Sequence, residues 1–254
     1  MLSHWFLDTD IFATPDSLST FQKHIPLEWI SNVLEQTDKA SIRKRKLPAE
    51  LVVWLIIAMG LFRDRSISDV VEKLDLTLTD TLGDTIAPSA IPQARQRLSS
   101  NPLQALFHLC AAHWTQEDAD DTWYGLRLFS VDETQFRAPD TPALAEHFHY
   151  IKDSKNRHTE YPIVRLCALS SLRSRLIHHV AFGPSYQGGV NYAKQLFSHV
   201  SDNSLTIFDR CYLSVELLIN CRKQHPQSHW MVPIKSNTQY TVIKSYSEHD
   251  FKVE

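Results

Sequence analysis

The sequence predicts an α+β chain in which a helical amino-terminal region is followed by a mixed β-sheet interleaved with helices. Three observations carry that prediction. Up to about residue 118 the apolar residues recur at helical spacing, with no alternating run. From residue 126 onward short apolar, β-branched and aromatic runs take over, three of them consecutive and the last three separated by helical segments. Between the two regions lies EDADDTWYG (117–125), acidic, polar and ending in Gly, where the character of the chain changes. We expect one domain over 1–118 and a second over 119–254.

In the first region, 17–36 places Leu18, Phe21, Ile25, Trp29, Ile30, Val33 and Leu34 on one helical face, with Pro26 as a break or kink. After the basic run at 43–46, Pro48 fits the first turn of a helix reaching Phe62. That helix is apolar on nearly every side, which predicts the centre of a bundle. Ser66-Ile67-Ser68-Asp69 reads as a capping box opening a short helix, SDVVEKLDL. A turn-rich stretch, 79–90, precedes two further helices, IPQARQRL and NPLQALFHLCAAHW. In the second region strands are predicted over 126–137, 161–172, 175–183, 204–210 and 229–236, with helices over 190–200 and 213–224. Three consecutive strands predict an antiparallel meander, and the strand–helix–strand–helix–strand that follows predicts a parallel extension.

Composition narrows the function classes. A chain of 254 residues with 43% hydrophobic and 22% charged residues buries a sizeable core and is not disordered. The apolar run 51–62 is too short to span a bilayer, and the start, MLSHWFLDTDIF, lacks a basic signal-peptide region, so we expect a cytoplasmic protein without a membrane partner. Cys110, Cys167, Cys211 and Cys221 sit in apolar settings without a C-x-x-C and read as reduced core thiols. The net charge is −3, which does not favour nucleic acid in bulk, but it is uneven: residues 1–120 hold 11 basic and 16 acidic side chains, residues 121–254 hold 15 and 13.

Two aspartates fall where strands rarely carry charge. Asp132 follows Leu128, Phe129 and Val131, and Asp209 ends Leu205-Thr206-Ile207-Phe208. If the meander and the parallel half bring these strands together, the two carboxylates meet at one end of the sheet, where Mg²⁺ or Mn²⁺ relieves their repulsion. The alternative from the pattern alone is that both merely cap strand ends. The histidine pairs His147/His149 and His178/His179, the Gly183-Pro184 and Gly188-Gly189 turns, and Trp29, Trp54, Trp114 and Trp230 carry ordinary structural readings, as does Asp140, in a turn.

The residues around these aspartates resemble a known family. VDETQFRAPDTPALAEHF (131–148), YPIVRLCAL (161–169) and LTIFDRCYLSVELL (205–218) are similar to the catalytic blocks of DDE transposases of the insertion-element-four type. RKRKLPAELVVWLIIAMGLFRDRS (43–66) and IPQARQRLSSNPLQALF (91–107) are similar to that family's N-terminal domain. The resemblance implies an RNase H-like catalytic domain that cleaves DNA at transposon ends and transfers the strands. In it three carboxylates hold two divalent metals, roughly 4 Å apart, that stabilise the attacking and leaving oxygens. Asp132 matches the first carboxylate and Asp209 the second.

This sequence departs from the family in three places. The third carboxylate belongs to Y-x(2)-R-x(3)-E-x(6)-K, on a helix after a β insertion, and no stretch here fits it. The acids after Asp209 are Glu216, on the next helix, and Glu248, Asp250 and Glu254, in YTVIKSYSEHDFKVE, which looks like the opening strands of the insertion. The resemblance therefore implies a chain truncated within the insertion and inactive alone. Glu133 and Cys211 stand where the family's D-G-T and D-[RK]-G motifs have Gly. Glu133 alternates to the face opposite Asp132.

DNA contact is expected from Arg43, Lys44, Arg45 and Lys46, from Arg95 and Arg97 flanking a helix, and from the basic loop of Lys152, Lys155, Arg157 and His158, since such patches bind phosphates without reading bases. The expected partners are double-stranded DNA, as inverted-repeat ends and target, and a second copy or full-length transposase, in a nucleoid-associated protein. The rival expectation is a non-catalytic DNA-binding remnant that represses transposition.

Overall fold

The computed structural model describes residues 22–41, 47–77, 89–117, 122–152 and 157–253. The chain divides into two compact units, Met1–Cys110 and Ala111–Glu254.

The first unit is helical. Pro26, the expected break, is the N-cap residue of α1 (Leu27–Gln36), which buries Ile30, Val33 and Leu34. The next helix, α2 (Ala49–Leu61), buries Leu51 to Leu55 and Ala58, and α1, α3 (Ile67–Thr77) and α4 (Ala90–Leu98) all pack on it. Its all-round apolarity thus has the expected outcome, a central helix. Pro48 sits at the N-cap in an extended conformation rather than inside the first turn. Ahead of α3 the Asp69 N–H donates to Ser66 Oγ at 3.1 Å and the Ser66 N–H to Asp69 Oδ2 at 3.3 Å, the reciprocal capping box read from the sequence. Trp54 is buried, whereas Trp29 is only half-buried. The fifth helix, α5, spans Asn101–Glu117.

The second unit is built on a mixed sheet. β1 (Thr122–Trp123) pairs with β2 (Leu126–Arg137), and the strand order is β4 (Ile177–Pro184), β3 (Ile163–Ser171), β2, β5 (Ser204–Phe208), β6 (His229–Met231). The consecutive strands β2, β3 and β4 are antiparallel, and β5 and β6 extend β2 in parallel. Helices α7 (Gly189–Leu196) and α8 (Val215–Gln224) supply the crossovers. This is the α+β, RNase H-like arrangement expected from the sequence. One sheet face, bearing Phe129, Val131, Cys167, Leu169 and Ala181, forms the core with Tyr192, Ala193 and Leu196 of α7 and Leu217 and Cys221 of α8. Gly188 has φ +78 at the N-cap of α7, a conformation that suits glycine.

Three elements were not foreseen. They are β1, the 3-10 turn Ser185–Gln187 and the short helix α6 (Pro142–Phe148) capped by the Thr141 hydroxyl, whereas the strands expected within 240–254 are present as β7 (Val242–Ser245) and β8 (Phe251–Val253), paired as a separate exposed hairpin. One thiol expectation also needs correction. Cys110, Cys167 and Cys221 are buried, but Cys211 is exposed: in the 3-10 turn after β5 the inward position is taken by Tyr212. Among the described residues no helix is long and apolar enough to cross a membrane.

Candidate active site

The register of two parallel strands places the aspartates. Val131 of β2 pairs with Phe208 of β5, and both side chains enter the core. One residue further along come Asp132, within β2, and Asp209, just past the end of β5, on neighbouring segments of a sheet whose strands lie about 5 Å apart; both are exposed. Alternation sends both away from the core. Each carboxylate is steadied by its own backbone: Asp132 Oδ1 accepts the Glu133 N–H at 2.8 Å, and Asp209 Oδ1 accepts the Arg210 N–H at the start of the 3-10 turn Arg210–Tyr212. Among the described residues no cation pairs with either carboxylate. Two like charges at this spacing repel, and hard oxygen donors so arranged suit a divalent cation. Among the described residues no group of three or more His, Cys, Asp and Glu converges, so the site as described offers two carboxylates.

Beneath Asp132, on the core face, Glu133 is ion-paired with Arg165 of β3. Arg165 also donates to Ser185 Oγ at 3.4 Å, and the Tyr212 hydroxyl donates to Glu133 Oε2 at 3.5 Å. Cys167 Sγ lies 3.5 Å from that hydroxyl, and a side chain at Gly189 would run into the Glu133 carboxylate. Burial pushes the Cys167 thiol up to about 11 and raises the Tyr212 phenol as well. Exposed Cys211 is also pushed up to about 11, first by partial burial and then by neighbouring Asp209, so it stays a neutral thiol beside the carboxylates. Sequence reasoning missed the Arg165–Glu133 pair. Its signal was available, because Arg165 alternates with Cys167 and Leu169 on a core-facing strand, and a buried Arg requires an acid partner.

The other acids have separate places. Glu216 accepts from Lys194 at 2.7 Å in the first turn of α8. Glu248 and Asp250 are exposed on the β7–β8 hairpin, and Glu254 lies outside the described residues. Asp140 accepts the Tyr150 hydroxyl at 2.6 Å. His178 is buried against Phe129 and Thr115, and His179 stacks on His199.

Of the expected DNA-contacting residues, Arg43, Lys44, Arg45, Lys46 and Lys155 lie outside the described residues. Arg95 and Arg97 are exposed within the last turn of α4, rather than beside it, where they also complement the helix dipole. Arg97 lines a cavity of about 420 Å³ with Lys39, Asp38 and Ser41. Lys152 and Arg157 are exposed on the β2–β3 connection, and the backbone of Lys152 bridges that of His158.

Residues 15–108 match the family described as insertion element 4 transposase N-terminal, and residues 123–252 match the transposase DDE domain. The chain belongs to the insertion element 4 family of DDE transposases. It is 33% identical over 232 residues to InsZ of Escherichia coli (strain K12), covering 91% of this chain and 76% of that protein. It is 32% identical over 249 residues to InsG, the transposase for insertion sequence element IS4 of the same organism, covering 96% and 56% respectively. The chain thus spans little more than half the length of that second family member. Among solved structures, a piggyBac transposase synaptic complex with hairpin DNA matches with a TM-score of 0.39 at 15% identity, covering 85% of this chain and 48% of that one.

Proposed function

We propose that this chain carries metal-dependent cleavage and strand-transfer chemistry at the ends of a bacterial insertion sequence, with residues 1–118 contacting DNA and 119–254 forming the catalytic domain. The observation that supports it is the register that sets Asp132 beside Asp209 with no described cation between them. In this reading the two aspartates hold Mg²⁺ or Mn²⁺, which when bound supplies Lewis-acid stabilisation to the attacking and leaving oxygens of an in-line phosphoryl transfer. The protein's own part is alignment. Each Oδ1 is fixed by a backbone N–H, which orients the remaining carboxylate oxygen before metal and DNA arrive. Arg43, Lys44, Arg45, Lys46, Arg95, Arg97, Lys152, Lys155 and Arg157 supply phosphate contacts to inverted-repeat and target DNA, and pairing with another transposase copy brings two ends together. DNA binding on this scale makes the protein nucleoid-associated.

Among the described residues two carboxylates converge rather than three, which supports a second reading, a DNA-binding repressor of transposition. One assay separates them. The chain is mixed with inverted-repeat duplex and Mg²⁺, and binding and nicking are followed at several salt concentrations. Nicking lost in Asp132→Ala and in Asp209→Ala establishes the catalytic reading. Salt-dependent binding without nicking, unchanged by both substitutions and lost when 43–46 is neutralised, establishes the repressor. Absence of salt-dependent binding overturns both.

A further inference from the structure

Asp209 is the residue just past the last rung of the β2–β5 ladder, so strand pairing alone does not hold it. Its carbonyl instead accepts the Tyr212 N–H at 3.0 Å, closing the 3-10 turn. The Tyr212 ring is fully buried against Phe208, and its hydroxyl reaches across the sheet to Glu133 Oε2. Glu133 directly follows Asp132. A second connection between the two aspartate-bearing segments therefore runs beneath the sheet: Asp132, Glu133, the Tyr212 hydroxyl, the turn, Asp209. The far end is anchored as well, because Arg165 holds Glu133 and is itself in contact with Ser185. The fit is close. Gly189 approaches the Glu133 carboxylate where any Cβ would overlap it, and the hydroxyl stands between that carboxylate and Cys167.

We infer that Glu133 and Tyr212 are positioning residues that set the spacing of Asp132 and Asp209 from the buried face; the inference rests on the reading of those aspartates as metal ligands. A contact of 3.5 Å contributes little to folding free energy. Its effect is on alignment, in the way that outer-shell partners of metal ligands typically change affinity 10- to 100-fold.

The test compares Tyr212→Phe, which removes one oxygen, with Glu133→Gln, which keeps an acceptor for the hydroxyl, and with Asp132→Ala. Mn²⁺ binding to the full chain is read by electron paramagnetic resonance, and amide hydrogen exchange is read at Arg210 and Tyr212. We expect Tyr212→Phe to weaken Mn²⁺ binding about tenfold and to speed exchange in the turn without moving the thermal midpoint. Glu133→Gln, which keeps an acceptor for the hydroxyl but loses the Arg165 ion pair, should weaken Mn²⁺ binding less than Tyr212→Phe does. Parental affinity and exchange in Tyr212→Phe, with binding still lost in Asp132→Ala, overturn the positioning role and leave the metal reading intact. Mn²⁺ binding that survives Asp132→Ala overturns the metal reading and this inference with it.

Discussion

Asp132 stands exposed beside Asp209 with no described cation partner, whereas Glu133, the next residue of the same strand, turns to the other face and meets Arg165 and the Tyr212 hydroxyl. The two carboxylates have nearly the same chemistry, and the alternation of an extended strand alone separates their fates. On the outer face an unneutralised pair of acids is a place for a ligand. On the inner face a single acid is acceptable only because a guanidinium meets it. Where the resemblance implies Gly, this chain carries one half of an ion pair on the face opposite Asp132.

The largest effect belongs to the inner face. Arg165→Met strands Glu133 in a half-closed pocket and is expected to cost about 3 kcal/mol in urea unfolding. Adding Glu133→Met should recover most of that loss, because a buried ion pair replaced whole by apolar side chains is often neutral. A double variant no more stable than the single one would show that the pair is not what holds this face together.

Next comes Gly189→Ala. Its Cβ overlaps the Glu133 carboxylate and comes within 3.4 Å of the Tyr212 hydroxyl, so the network must shift, at a cost of about 2 kcal/mol. Gly60, in the last turn of α2 with nothing within 4 Å of its Cβ position, is the control. Gly60→Ala should stabilise slightly, by about 0.5 kcal/mol, because alanine favours the helix. Parallel urea curves for the two variants distinguish crowding from a general glycine effect.

A smaller effect appears with pH. Cys167, facing the same pocket as Glu133, is held up at about 11 by burial, against an ordinary 9.0, as is Cys110. A thiol that ionises less readily folded than unfolded contributes stability that is complete below about pH 9 and lost as the pH rises towards 11. Urea midpoints should therefore fall between pH 8.5 and 10.5, and Cys167→Ala should make that fall shallower. An unchanged slope would assign the alkaline loss to other groups.

How much of this was legible beforehand follows from what each signal depends on. β2 occupies the predicted 126–137 because a long β-rich run between turn residues leaves few alternatives. The meander and the parallel extension follow from element order, and with them the meeting of Asp132 and Asp209. Helix α6 left no trace, since none of its residues is buried and periodicity reports only burial. Cys211 was misread because its neighbours are apolar, yet in the turn Arg210–Tyr212 it is Tyr212 that takes the inward position and Cys211 that is left exposed. The Arg165–Glu133 pair depends on the β2–β3 register, which places Gln135, not Glu133, directly opposite Arg165 and makes the ion pair a diagonal one. The helical unit was legible in its central helix and its capping box, but Arg95 and Arg97 serve a helix end as readily as a phosphate, and sequence does not separate those uses.

The smallest expected effect tests the comparison most directly. Asp132→Asn retains an Oδ1 to accept the Glu133 N–H and removes only the charge. If the two exposed aspartates do no more than repel, the variant should be as stable as the parent or more so, by at most about 1 kcal/mol, the value for unit charges about 4 Å apart in water. That gain should disappear in 1 M salt, where screening acts over about 3 Å. Glu133→Gln, one residue on, should lose stability at both salt concentrations, because its ion pair with Arg165 is largely shielded from solvent. A loss above 1 kcal/mol in Asp132→Asn would make its carboxylate a structural group like its neighbour, and the argument for a cation between Asp132 and Asp209 would lose its physical basis.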